Sequence, residues 1–335
     1  MEEKISHSKR WTIGLILAAV AGAVFSIFRI DLFGEKPVAN DPMNLPLADL
    51  LKSDPALHLY EESAPRIQTG LDHARLIAID RNDAIYTVSG TQVKSFDSAG
   101  KPRSLHIQTE TEISAIEVSN DGPIYLGLSD HIEIFNADGQ RTAQWNPVGE
   151  KGLITSIAQY ENHVFAADAG IKAIHHFDAE GNKINTFGEF AIPSFYFDVA
   201  VAGEDKLYAA HTGEHRIETF NFQGDMTAWW GAFSMTKPDR FCGCCNPIHF
   251  ALLPNNQGFI TCEKGIVRVK VYDAAGEFVG YVAPPEQFSK HDAGCQSPES
   301  CFSASGVDAV VDSNGRVLVL DPTQSEVRAY SKKMS

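Results

Sequence analysis

Between Leu76 and Tyr330 one unit recurs six times: a short apolar segment, a turn, a second apolar segment ending in a small or polar residue, and a third closing on an aromatic. The third segment and its turn recur as Phe96-Asp97-Ser98-Ala99-Gly100, Phe135-Asn136-Ala137-Asp138-Gly139, Phe177-Asp178-Ala179-Glu180-Gly181, Phe220-Asn221-Phe222-Gln223-Gly224 and Tyr272-Asp273-Ala274-Ala275-Gly276. The sixth copy stops at its third segment, Val327-Arg328-Ala329-Tyr330, and the closing aromatics fall 39, 42, 43, 52 and 58 residues apart. A period near 40 with four short strands per unit predicts a β-propeller of six blades.

The second segments, among them Ile85-Tyr86-Thr87-Val88, Ile124-Tyr125-Leu126-Gly127 and Val164-Phe165-Ala166-Ala167, are too short and too uniformly apolar for helices. They suit strands buried on both faces. One four-stranded sheet cannot cover both its faces alone, so the blades must stack to be stable. The last repeat lacks its outer strand. Leu57-His58-Leu59-Tyr60 or the nearby Arg66-Ile67-Gln68-Thr69, upstream of blade one, is expected to supply it and so to close the ring.

Ala78-Ile79-Asp80, Phe165-Ala166-Ala167-Asp168, His215-Arg216-Ile217-Glu218 and Val269-Lys270-Val271-Tyr272-Asp273 resemble the repeat of the NHL six-bladed propellers. The resemblance spans about 255 residues and implies the fold. It implies no activity, because such propellers serve as protein-binding modules, lactonase-like hydrolases and lyases alike. The Phe-Cys-Gly-Cys-Cys-Asn-Pro and Glu-Lys-Gly sequences are similar to those of bacterial, membrane-anchored propellers of that group.

Ahead of the propeller, Trp11 to Phe28 runs for 18 residues without a charge, with Lys4, Lys9 and Arg10 before it and Arg29 after. That is long enough to span a bilayer. Ala21-Gly22-Ala23 has the form of a signal-cleavage site, but the apolar run continues beyond it, which favours an uncleaved anchor. The basic N-terminal flank places residues 1–10 in the cytoplasm and the rest outside. The expected organisation is a tail (1–10), a transmembrane anchor (11–28), a proline-containing linker (29–56) and the propeller (57–335), on the periplasmic or extracytoplasmic side. The 43 acidic against 28 basic residues, a net charge of −15, repel nucleic acid. No Gly-x-Gly-x-x-Gly, phosphate loop or Gly-x-Ser-x-Gly elbow is present.

All six cysteines follow residue 240: Cys242, Cys244 and Cys245 in one connection between blades, Cys295 and Cys301 in the next, and Cys262 within a strand. Such connections share one face of a propeller, so the two clusters are expected to meet above blades five and six. In an oxidising compartment they would pair as disulfides. Three soft ligands in one turn, with a fourth from Cys295 or Cys301, also fit a thiolate-bound metal or an iron–sulfur cluster, or redox-active thiols. Cys262 reads as a buried thiol.

A second constellation comes from aligning the blades. Ser114, Thr155, Asp198, His249 and Asp308 fall at the starts of inner strands, and Asp168, His211, Glu263 and Asp321 at the ends of second strands. Asp198, His211, His249 and Asp308 are the catalytic candidates, a set that would hold Ca²⁺ or Zn²⁺ in the channel and activate a water. The alternative is that these groups satisfy strand ends in a solvated channel. Trp229-Trp230 is expected to pack in an outer strand, and His175-His176 and His291 read as ordinary strand and loop residues. Three functions stay open: a membrane-tethered binding or scaffold module with an envelope protein as partner, which the residues favour; a metal-dependent hydrolase or lyase; and a redox or metal-cluster accessory protein using the cysteine loops.

Overall fold

The computed structural model describes residues 51–203, 205–288 and 306–334. Twenty-four strands form six four-stranded antiparallel sheets among these residues, and five of the six run in simple chain order from inner to outer strand. Blade three is representative, with Ile154–Tyr160, His163–Asp168, Ala173–Asp178 and Lys183–Phe187 paired in sequence. Its second and third strands are almost wholly buried, whereas its outer strand is exposed or half-buried. That gradient follows from stacking blades face to face around an axis.

The sixth sheet is completed by the N-terminal strand Tyr60–Gln68, which runs antiparallel to Glu326–Lys332. Both halves of that strand pair, with a register shift between Ser63 and Arg66. Pro65 is tolerated because the strand is outermost and its free edge needs no donor. Leu57 and His58 lie outside the sheet, and Leu59 only accepts Lys333 N–H (2.9 Å) just beyond the partner strand. His58 instead bridges to Tyr281 in the outer strand of blade five, and Leu59 N–H donates to Tyr281 O (3.1 Å).

The turns between third and outer strand in blades one, two, three and five are built alike, and in blade four Asn221 accepts only Asp225 N–H, four residues on. Asp97, Asn136, Asp178 and Asp273 each accept the backbone N–H groups two and four residues on through one side-chain oxygen. The glycine that follows lies at positive φ in every copy, between 80° and 95°, a conformation that costs glycine little. A Cβ on these glycines would strike the preceding blade: Gly139 meets Leu105, Gly181 meets Trp145, Gly224 meets Phe187 and Gly276 meets Trp230. Gly100 of blade one meets Ile67 of the N-terminal strand in the same way. The junction between blades six and one is therefore chemically the same as the others, and the ring is closed.

No helix among the described residues is long and apolar enough to cross a membrane. The apolar run at 11–28 lies outside them, as do His291, Cys295 and Cys301.

Candidate functional site

At the start of the inner strands of blades four, five and six, the channel brings together Asp198, His249 and Asp308. His249 Nδ1 lies 3.6 Å from Asp198 Oδ2 and 3.7 Å from Asp308 Oδ1. Burial opposes a charge on His249, but Asp308 and then Asp198 outweigh it and raise the imidazole to about 9. Burial likewise raises Asp308, offset in part by His249. Glu117 of blade two faces the same channel; burial, with a contribution from Asp198, pushes it up to about 8.

The carboxylates hold the inner strands together. Asp198 Oδ2 accepts Phe250 N–H of blade five (2.9 Å), while its Oδ1 accepts Val199 N–H (3.0 Å) and the Ser156 hydroxyl of blade three (2.6 Å). Asp308 Oδ2 accepts Ile77 N–H of blade one (3.1 Å) and its Oδ1 accepts Ala309 N–H (2.8 Å). Each acid thus ties one inner strand to that of the next blade, and His249 sits between the two as their common cation. Thr155 does not take part: a register irregularity between Ile154 and Ser156 shifts the frame by one residue, so Ser156 reaches Asp198 and Thr155 donates to Phe197 O (2.7 Å). Ser114 Oγ donates to Gly127 O (3.1 Å). Glu117 and Ser156 had no distinguishing signal beyond a polar residue in an apolar inner strand.

This arrangement has a pH signature. Unfolded, His249 and Glu117 have ordinary values of 6.5 and 4.5; folded, they stand at about 9 and about 8, so the native state binds more protons across that span. Stability falls as pH rises when the native state holds the extra protons. The stability advantage of wild type over His249→Gln should be full below pH 6.5 and shrink by about 3 kcal/mol by pH 9. Urea midpoints of both proteins at pH 6 and 9 measure it; a difference independent of pH would show that His249 is not the shared cation.

His211 makes its contacts elsewhere. Its Nε2 accepts Ala191 N–H (2.7 Å), which puts the proton on Nδ1, donated to Glu218 (2.8 Å). Asp168 and Glu263 do the same job in their blades: Asp168 accepts Leu153 N–H (2.9 Å) and pairs with His175 (3.0 Å), and Glu263 accepts Cys242 N–H (2.9 Å) and pairs with Arg268 and Lys270. Asp321 caps its own turn through Thr323 N–H (2.9 Å). The ends of the second strands thus clamp backbone, in three blades that of the incoming connection. Among the described residues no three His, Cys, Asp or Glu side chains are arranged to hold a metal ion.

The connection from Gly231 to Ile248 carries Cys242, Cys244 and Cys245. It folds on itself through Phe241 N–H to Ala232 O (2.9 Å) and Ser234 N–H to Phe241 O (3.0 Å). Asn246, fully buried, donates to Lys264 O (3.0 Å) and accepts Lys264 N–H (2.9 Å), while His215 Nε2 donates to Gly243 O (2.8 Å). Cys242, Cys244, Cys245 and Cys262 are free thiols. Cys242 is buried beside Met235, and Cys262 lies opposite His249 in blade five, its thiol pushed well up by burial and then by Asp308 and Asp198. Gly306, the first described residue after the next connection, abuts Ile248 and Lys264. Trp230 packs against Phe241, Phe259 and Tyr272, but Trp229 is exposed, with Arg216 over its ring at 5.3 Å. A shallow groove of about 320 Å³ in blade one, between Gly70–Asp72 and Ser89–Gln92, has Asp72 as its one ionisable lining residue and plays no part in this chemistry.

Closed ring and braced channel define an all-β six-bladed propeller. Among solved structures, the chain is similar to a streptogramin B lyase (TM-score 0.56, 10% identity, covering 80% of this chain and 97% of that one). It is similar to the same degree to a chain of a mitotic checkpoint complex (TM-score 0.56, 10% identity, covering 85% and 96%). At that identity the likeness is one of fold. No family model and no curated protein sequence matches the chain.

Proposed function

We propose that this protein is an NHL-type propeller, tethered by residues 11–28, that works on the extracytoplasmic side as a binding or scaffold module and meets a protein partner through the face bearing the cysteine loop. The observation that carries the reading is the apolar surface left exposed on two neighbouring connections, apart from the exposed apolar side chains spread over outer strands, such as Ile184, Met226, Trp229 and Val279. Phe195, Phe233 and Met235 are 77%, 50% and 38% exposed, and all three lie in the connections that enter blades four and five. Large apolar side chains left in water on one rim are what a docking surface needs. The hydrolase reading has less behind it, because the carboxylate oxygens of Asp198 and Asp308 are committed to backbone of neighbouring blades.

A photoreactive residue in place of Phe233, in the full chain in its native envelope, should yield one discrete adduct that is lost on Phe195→Ser. The same group at Ile184, which is 55% exposed on the outer strand of blade three, should yield none. Equal labelling from both positions would sink the proposal. The tether is checked separately: a chain that keeps its N-terminus and stays with the membrane at alkaline pH supports it, and a soluble chain starting near Val24 refutes it.

A further inference from the structure

Three side chains meet on the cysteine face that the preceding interactions do not use. Cys244 and Cys245 are adjacent in sequence, and their Sγ atoms stand 3.2 Å apart. Cys244 is exposed and Cys245 is completely buried. Beside them Lys264 is only 4% exposed, and its Nζ has no hydrogen-bond partner among the described residues. It lies over the ring of Tyr196 at 5.0 Å. Its charge reaches Cys244, and that of Cys245 reaches the Tyr196 hydroxyl, so the four groups share one local field. The lysine and the thiols are held in fixed relation, because Asn246, next to Cys245, exchanges two hydrogen bonds with the Lys264 backbone.

A buried ammonium without a hydrogen-bond acceptor is uncommon, since burial removes its water and the face of the Tyr196 ring returns only part of what is lost. It becomes reasonable if an anion forms beside it during function. A thiolate is the anion this neighbourhood can make, and a nearby lysine is a recognised means of stabilising one.

We propose that Cys244 and Cys245 are a vicinal dithiol that exchanges two electrons with disulfides, with Cys244 as the attacking sulfur, Cys245 as the resolving sulfur and Lys264 as the cation that holds the thiolate. In the first step the Cys244 thiolate attacks one sulfur of a disulfide RS–SR′; the S–S bond breaks, and R′S⁻ leaves and takes up the proton Cys244 gave up. In the second, the Cys245 sulfur attacks Cys244 in the mixed disulfide and expels RS⁻, which takes the proton of Cys245. The dithiol is oxidised to the Cys244–Cys245 disulfide, and RS–SR′ is reduced to two thiols. The two sulfurs must close by about 1.2 Å to reach the bond length of about 2.05 Å. Only the exposed sulfur can meet a co-substrate, which assigns the two roles. At rest the pair is a dithiol: burial, and then the Cys245 thiol, raises Cys244 above its ordinary value, and Lys264 offsets part of this. The exchange therefore gains rate as pH rises.

Oxidised glutathione is the probe, incubated with the full chain under native conditions and followed by mass spectrometry of the peptide holding residues 244 and 245. Wild type should lose two hydrogens from that peptide and release two equivalents of glutathione, with Cys242 and Cys262 unmodified. Cys245→Ser should stop at glutathione bound to Cys244. Lys264→Met should slow the first step by about tenfold or more, and Lys264→Arg, which keeps the charge, should retain most of the rate. Thermal unfolding of each variant distinguishes a lost cation from a lost fold. A wild-type pair that stays reduced, a bond from either sulfur to Cys295 or Cys301 in place of the vicinal one, or a folded Lys264→Met that reacts at the wild-type rate would each overturn the proposal.

Discussion

Deleting Tyr60 to Gln68 should abolish cooperative folding of the whole domain, even though the segment makes no part of blades one to five. Seven residues of this strand pair in register along Glu326–Lys332. Ile67 is buried against blade one, and Tyr60 against the core shared by blades five and six. Arg328 is bound to Glu62 across the pair (2.7 Å), and Thr69 ties the end of the strand to Ser325 through both backbone and side chain. Burial of each large apolar side chain contributes about 1.5–3 kcal/mol. Without the strand, the third strand of blade six becomes a free edge next to an unfilled junction. A domain stable by only about 5–15 kcal/mol does not absorb that loss. Ile67→Ala is the graded version, at about 2–5 kcal/mol. Calorimetry and urea unfolding of both variants measure the effect. A truncated protein with an unchanged transition would mean that the ring holds without its closing strand.

That the closing strand was legible at all comes from the repeat. Five copies carry a third strand, a turn and an outer strand, so a sixth that stops at Tyr330 leaves one unpaired edge, and an upstream orphan segment must fill it. The turn itself is readable because its chemistry is local: an Asp or Asn accepts two nearby N–H groups, and a glycine takes the positive φ that follows. What the pattern did not carry was the exact span. Leu57 to Leu59 look like strand by composition, yet they lie against blade five, because the backbone of Tyr281 offers Leu59 an acceptor. The strand, Tyr60–Gln68, takes the last residue of one candidate stretch and the first three of the other, and tertiary neighbours invisible in the sequence set where it begins.

The channel was legible in the same measure. Asp198, His249 and Asp308 meet because three blades present the same inner-strand position to one axis, and blade alignment finds such positions. Thr155 fell one residue short because alternation makes a single irregularity decisive. His211 was grouped with the others because the ends of the second strands were placed around the same face, whereas its geometry is set by the connection it clamps through Ala191. Lys264 stands in a Glu-Lys-Gly sequence that gives no sign of burial. A lysine in a strand-to-strand turn is ordinarily solvated, and only the folded chain shows that Tyr196, Asn246 and Gly306 close over it.

Glu263→Ala should be the most damaging single substitution in blade five, at about 3–5 kcal/mol. Glu263 and Lys270 are wholly buried, and Lys270 Nζ sits 2.7 Å from Glu263 Oε1. Arg268 meets both carboxylate oxygens at 3.0 Å. Burial opposes the charge of Glu263, but the two cations hold it below its ordinary value, whereas burial pulls Lys270 down to about 8 despite Glu263. The network also pins the connection above it. Glu263 accepts Cys242 N–H, Lys270 donates to Arg240 O (2.9 Å), and the ammonium is boxed by the rings of Phe241, Tyr272 and Phe278. Removing the carboxylate leaves two buried cations facing each other and an N–H without its acceptor. Glu263→Gln should cost less, because it keeps an acceptor for Cys242. Adding Lys270→Met to Glu263→Gln should recover part of the loss, since a thioether fits the aromatic box and carries no charge. Urea unfolding of the four proteins separates these contributions. A Glu263→Ala cost below about 1 kcal/mol would mean that the cations find water or other acceptors, and that the network does not hold the cysteine connection in place.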